Sequence, residues 1–335
     1  MLTYTLRRLA LAVPTLLLIS LIVFLLLELA PGDPMAQMPL TIPPEVREQM
    51  RIALGLGEPW YVRYVAWLHM VFVVEPSHML AAATGVDLAA DGARLLSWQS
   101  RAPVAEIIAQ RLPQTLWVVG LSYLFGILVA VPLGIVSARR PGSWIDQTGT
   151  LIAMLGFSVP TFVTGVLMIV IFSVTLGWLP SMYDTTLQVT DWQSLRLQAA
   201  QLAMPVAVLA LYNAAQISRH VRAAMLDNLA QDYVRTVRAK GMSERVVLYL
   251  HVLRNAMIPV VTVIALGVPS IFAGAIITEQ IFRVNGIGSL LISAIHAADY
   301  PMVQTLTFLF AVLIVLFNLV ADILYGMLDP RIRYD

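Results

Sequence analysis

The longest charged stretch lying between apolar runs is Gln231 to Pro259, QDYVRTVRAKGMSERVVLYLHVLRNAMIP. Leu226, Leu229, Tyr233, Val234 and Val237 recur at helical spacing, and Asp227, Gln231, Arg235 and Arg238 fall between them. One face of that helix is apolar and the other charged. Gly241 is placed to stop it, because glycine takes the left-handed conformation at little steric cost. Ser243 can then cap a second helix, with Glu244 in its first turn, running through VVLYLHVLRNA toward Pro259. A rigid basic hairpin of this kind can dock on a partner. The same pattern also suits an interfacial helix pair lying on anionic lipid, and physics alone leaves both readings open.

Bond-making chemistry has no comparable candidate. No G-x-x-x-x-G-K-[ST] phosphate loop occurs, and Gly286 and Gly288 in NGIGSLL lack the lysine. No Ser/His/Asp set, H-E-x-x-H or paired intramembrane aspartates are present, which argues against a hydrolase. His69 and His78 lack acidic or histidine partners at ligand spacing, so no metal site is expected. There are no cysteines, hence no disulfide framework and no thiolate metal site.

A second set of polar residues lies inside apolar runs, where such residues face protein or a water-filled cavity. Asn318, Asp322 and Tyr325 share one helix face at i, i+4 and i+7. Near the end of its span, Asp322 suits structural anchoring better than solute binding. Asn213 and Gln216 can face a bundle interior, and Glu279 lies at the end of an apolar run where it can line an outer mouth. Pro269, with Gly267, Ser270 and Gly274, reads as small-residue helix packing, with a hinge as the functional alternative.

The elements that carry these residues are membrane spans. Of 335 residues 59% are hydrophobic and 12% charged, about half the charged fraction of soluble domains, and the mean hydropathy is +0.79. Six runs are long enough to cross a bilayer. They lie within residues 9–29, 112–136, 145–176 (broken by Pro160), 201–218, 258–277 and 304–327. The first is too long for a signal-peptide core and lacks a cleavage site; Glu28 at its edge can reach headgroups or water. Residues 30–112 form a long extramembrane region, and 329–335, DPRIRYD, a tail.

Orientation follows from basic residues. Arg7, Arg8, Arg139, Arg140, seven residues from Arg219 to Arg254, Arg331 and Arg333 lie on one side, 13 of 21. Short loops on the other side hold only Arg196 and Arg283, which places both termini in the cytoplasm. A secondary transporter or channel would be expected to show an inverted repeat or an ionisable relay, and neither is evident.

DYVRTVRAKG followed by HVLRNAMIPVV resembles the cytoplasmic Glu-Ala-Ala loop of ATP-binding-cassette importer permeases, most closely the dipeptide/oligopeptide (peptide/nickel) branch and its first-permease subunit. Gly241 falls on the loop glycine, Arg235, Thr236 and Val237 on E-A-A, and Val237 replaces an expected alanine. PGDP, ITEQIF, GIG, DILYG and DPRIR extend the resemblance. It weakens from Glu75 to Leu95, an Ala-rich insertion expected either to tune docking of a binding protein or to be a tolerated surface insertion.

The resemblance implies an all-α polytopic fold, a type I importer transmembrane domain. An N-terminal part (1–107) would precede a permease domain (108–328) carrying a coupling loop (219–256). It implies a bacterial inner-membrane location and a second homologous permease. It also implies two cytoplasmic ATPases that hold the ATP and Mg, an extracytoplasmic binding protein, and contact with lipid but no nucleic acid. The chain itself would bind no cofactor. Asp232, Tyr233, Arg235, Thr236, Arg238, Ala239, Lys240 and Gly241 would engage an ATPase, and Asn213, Gln216, Glu279, Asn318 and Asp322 would border the path. Relatives move dipeptides, oligopeptides, glutathione, nickel chelates or sugars.

Overall fold

A backbone in hydrocarbon must satisfy its own N–H and C=O groups, and helices do this within one segment. The computed structural model describes residues 2–29, 43–53, 56–85 and 94–328. The PGDP turn, residues 86–93 of the insertion and the DPRIRYD tail lie outside them. The helices are α1 (Leu2–Glu28), α2 (Pro44–Ala53), α3 (Trp60–His69), α4 (Glu75–Thr84), α5 (Val104–Arg139), α6 (Trp144–Ser158) and α7 (Thr161–Met168). They continue as α8 (Trp192–Leu229), α9 (Asp232–Ala239), α10 (Glu244–Val246), α11 (Leu253–Phe282), α12 (Ile287–His296) and α13 (Tyr300–Leu328). Extended pairing among the described residues is a single bridge, Leu96 with Pro103.

Five of the six expected spans are single helices, in α1, α5, α8, α10–α11 and α13. The third is a broken pair, α6 and α7 with its π-helical extension, bent by 102° at Val159–Pro160. Proline has no N–H to continue the ladder and biases the residue before it away from helix. A second bend of 81° separates the end of α11 from α12. The helix of the fourth span, α8, is much longer than the expected 201–218. Its 38 residues measure roughly 57 Å, against a hydrocarbon core of about 30 Å. Asp191 and Ser194 cap it reciprocally, the Asp191 carboxylate accepting from Ser194 N at 2.7 Å.

The chain divides into two compact units. One comprises residues 1–9, 113–289 and 313–335. Its core lies where α5, α8 and α11 meet around Ala130, Ile217, Val221, Met225, Val252 and Val260. Gly134 permits the α5–α8 crossing, since a Cβ there would lie 2.6 Å from Val221 Cβ and 2.8 Å from the Ser218 carbonyl. Tyr123 donates a hydrogen bond to the Ile264 carbonyl, and its hydroxyl sits over Gly267. Gly267 therefore serves close packing, as the sequence suggested; the side chain of Ser270 falls outside the description.

The other unit comprises residues 10–112 and 290–312. Buried Trp67 meets Phe308 edge-on at 5.6 Å and stacks with Tyr64, whose hydroxyl pairs with Ser20 at 2.8 Å. Glu28, expected to reach headgroups or water, forms an ion pair with Arg63. Buried Asp299 accepts from the Ser97 hydroxyl, from Trp98 N at 3.0 Å and from Met302 N at 3.4 Å, which fastens the turn before α5 to the start of α13. The described ends of the insertion are tied together. Glu75 accepts from Leu95 N at 2.9 Å and from Arg94 Nη2 at 3.1 Å, and the bond to Glu75 raises the Arg94 pKa. Arg94 also reaches Glu106 at 2.8 Å.

Candidate coupling site

Between α8 and α11 the chain makes the basic hairpin. Gln231 is extended at the N-cap of α9, which follows as eight residues. Val234 is fully buried in the core shared by α5, α8 and α11, and Tyr233 and Val237 pack against it half-buried. The valine that replaces the expected alanine thus enlarges the buried face of α9. Tyr233 Oη donates to Asn228 Oδ1 at 3.0 Å, fixing α9 to the end of α8.

The opposite face is open. Asp232, Arg235, Thr236, Arg238, Ala239 and Lys240 are all exposed. Arg235 pairs with Asp232 at 3.3 Å, one turn away, and both side chains stay more than three-quarters exposed. Such a pair is worth little in water and leaves the guanidinium free to exchange partners. Lys240 N donates to Thr236 O at 3.2 Å and Gly241 N to Arg238 O at 2.9 Å, closing the helix.

Gly241 has φ +79°, with nothing within 4 Å of the position a Cβ would take. The demand for glycine here is one of backbone conformation, not of space. Across the turn Arg238 clasps Glu244 with two bonds, of 2.8 and 3.2 Å. Glu244 thus serves the turn as well as the first turn of its helix. Ser243 is extended at the N-cap but makes no side-chain cap bond, contrary to expectation.

The second arm also departs from expectation. It is not a separate short helix. Helical backbone runs without a break from α10 through a π-helical segment, Val247–Val252, into α11. Val247 and Val252 are fully buried, so the arm is the stem of the fifth span itself. The hairpin thus joins that span through helical backbone, with no loop between them.

The other predicted site residues do not converge. Asn213 is buried against Gly126, its Nδ2 without a partner among the described residues, and Gln216 is half-buried on the same helix. Asn318 is exposed. Asp322 accepts an ion pair from Arg8 at 3.1 Å, tying the first helix to the last as an anchor. The side chain of Tyr325 lies outside the description. None of these residues lines the large groove between α5 and α8, a cavity of about 1000 Å³ with Gln198 among otherwise apolar neighbours such as Trp117, Phe125, Leu202 and Leu211.

Glu279 corrects the expectation of an outer mouth. It is fully buried, accepting from Thr115 Oγ1 at 2.6 Å and Ser289 N at 2.9 Å, while Thr115 Oγ1 accepts from Ile287 N at 2.8 Å. A Cβ on Gly286 would collide with the Glu279 carboxylate, and one on Gly288 would lie 2.7 Å from Ile276 Cα. The ITEQIF and NGIGS motifs are two halves of one clasp that holds the 81° bend against α5.

Sequence reasoning missed a second brace. Buried Asp146 takes Arg222 Nε at 2.6 Å and Nη2 at 2.8 Å, and Gly142 N at 2.9 Å. This bidentate pair joins the start of α6 to α8, just above the hairpin. An acid in the first turn after Ser143 was visible in the sequence; its partner 76 residues away was not.

Residues 130–334 match the model for the binding-protein-dependent transport system inner membrane component, and residues 1–119 match the corresponding N-terminal model. The chain belongs to this family. It is 38% identical to an oligopeptide transport system permease protein of Bacillus subtilis and 37% identical to a glutathione transport system permease protein of Salmonella choleraesuis, each over the full length of both chains. Its fold is similar to a chain of the MetNI methionine ABC transporter, with a TM-score of 0.54 and 18% identity, over 67% of this chain and 97% of that one. The protein is thus a multi-pass inner-membrane permease subunit of an ATP-binding-cassette importer, with the type I transmembrane architecture.

Proposed function

We propose that the chain forms half of a translocation path for di- or oligopeptides and couples it to ATP hydrolysed elsewhere. The partners are a second homologous permease, two ATPases that hold ATP and Mg, and an extracytoplasmic binding protein. Both termini and the hairpin face the cytoplasm in this reading, which the 13-of-21 basic bias supports.

One observation carries the reading: α9 is buried on one side and bare on the other, and the chain leaves it through a rigid turn directly into a span. An ATPase that grips Asp232, Arg235, Thr236, Ala239 and Lys240 moves α11 with it. The long α8 and the Asp146–Arg222 brace transmit the same displacement to α5 and α6. Arg238 has two roles, facing the ATPase and holding the turn through Glu244.

The apolar α5–α8 groove offers a passing solute no charged side chain. Selection of the solute then rests mainly with the binding protein, which suits peptides of varied sequence. Glutathione, itself a small peptide, is the second reading, favoured by the relative that carries that name. Uptake of labelled di-, tri- and oligopeptides by the complete system in vesicles, competed with glutathione, tests the choice. Peptide uptake indifferent to glutathione supports the first reading, and uptake of glutathione alone replaces it.

A further inference from the structure

Beside the hairpin a cavity of about 350 Å³ opens between the end of α5, the turn at Pro141, the foot of α8 and the start of α10. That is at the small end for ligand pockets, enough for a headgroup-sized anion but not a whole lipid. Leu226, Leu229 and Leu248 contribute its apolar wall. Its charged lining is Arg139, Arg238, Arg245 and Glu244, three cations against one anion, a net charge of +2.

The single acid is already engaged, since both Glu244 oxygens are held by Arg238. Arg139 and Arg245 are exposed and have no carboxylate partner among the described residues. Two arginines converging on one cavity without an anion is the donor arrangement that recognises phosphate. Tyr249, also in the lining, is 54% exposed, and Trp144 beyond the turn is 75% exposed. Aromatic residues at span ends mark headgroup level.

We propose that this cavity binds a phosphate-bearing anion on Arg139 and Arg245, with an acidic phospholipid headgroup as its source. The apolar wall and flanking aromatics favour a lipid over free phosphate, because the acyl chains stay beside the spans while the phosphate reaches the arginines. The site lies beside α9, so occupancy by lipid props the hairpin at a fixed height above the bilayer. This deepens the cytoplasmic placement of the hairpin proposed above and is independent of which solute is carried.

The test uses the complete complex, extracted from vesicles of phosphatidylcholine with or without phosphatidylglycerol, with retained lipid read by native mass spectrometry. Wild type should retain phosphatidylglycerol. Arg139→Gln and Arg245→Gln should each weaken retention about fivefold, and the double Arg→Lys variant should keep most of it. Arg140→Gln, an exposed charge outside the lining, should leave it unchanged. Displacement of the lipid by inorganic phosphate would support the site but move its source to a soluble ligand. Equal loss from Arg140→Gln would reveal diffuse surface attraction and overturn the proposal. So would full retention by the Gln variants, or loss of the ATPases from them with lipid retention unchanged. Uptake measured on the same samples reports separately on coupling.

Discussion

Gly241 separates the geometry of the hairpin from its surface chemistry. Its φ of +79° costs glycine nothing, whereas an L-residue in the left-handed region costs about 1–2 kcal/mol, and a β-branched one more. Since nothing lies within 4 Å of the would-be Cβ, no clash adds to that figure. The Arg238–Glu244 pair spanning the turn is 44% and 66% exposed, so it contributes at most about 1 kcal/mol and cannot hold the turn against the strain. The native turn then loses roughly 5- to 30-fold in population against competing geometries. The spans, which do not depend on this turn, stay folded. Gly241→Val should insert and assemble near wild-type level but transport poorly, with ATP hydrolysis no longer responding to loaded binding protein. Gly241→Ala should be intermediate, and Gly241→Asn mildest because asparagine tolerates this conformation best. The assay is uptake and stimulated ATPase activity of the complex in vesicles, normalised to assembled permease. Normal coupling in Gly241→Val would refute the lever. Asparagine as damaging as valine would show that the partner needs a bare surface there, not a left-handed turn.

Other perturbations follow from the same contacts. Gly134→Ala should overpack the α5–α8 crossing by about 1–3 kcal/mol, lowering the melting temperature of the purified complex, and Val221→Ala should not rescue it because the Ser218 carbonyl stays 2.8 Å away. Removing Arg222 leaves the buried Asp146 carboxylate with Gly142 N but without its cation. With Arg222 a third exposed, the loss should be about 1–3 kcal/mol, below that of a fully buried pair, and Arg222→Lys should restore only part because the bidentate geometry is lost. Glu279→Ala should loosen the bend between α11 and α12, read as faster amide exchange at Ile287 and Ser289, and Glu279→Gln should do so less because it keeps one acceptor oxygen. The purified chain alone should show no ATP hydrolysis, since it lacks a phosphate loop; hydrolysis in a preparation free of other ATPases would contradict this.

Much of the architecture was legible because hydrocarbon imposes length and apolarity directly on sequence. The break at Pro160, the amphipathic α9 and the glycine stop at Gly241 all follow from local chemistry. The continuous run from Glu244 into α11 was not legible, because Pro259 reads as a boundary in sequence but is accommodated inside a helix. Glu279 was misread for a related reason. Its position at the end of an apolar run suggests solvent, and its donors come from Thr115 on α5, far away in the chain, and from the folded-back NGIGS segment, ten residues on. The same limit hid the Asp146–Arg222 brace and the Arg8–Asp322 pair, whose partners are far apart in the chain. Pairing across distant helices leaves no periodic trace.

The central claim is that the bare face of α9 is where the ATPase grips the permease. The chain has no cysteine, so one introduced at Thr236 or Ala239 is unique within it. Short bifunctional cross-linking of the assembled complex should join these exposed positions to an ATPase subunit. The yield should change when ATP is bound, while a cysteine at buried Val234 should give no product. Labelling of Thr236→Cys in intact cells by a membrane-impermeant thiol reagent, with no ATPase cross-link, would contradict the account.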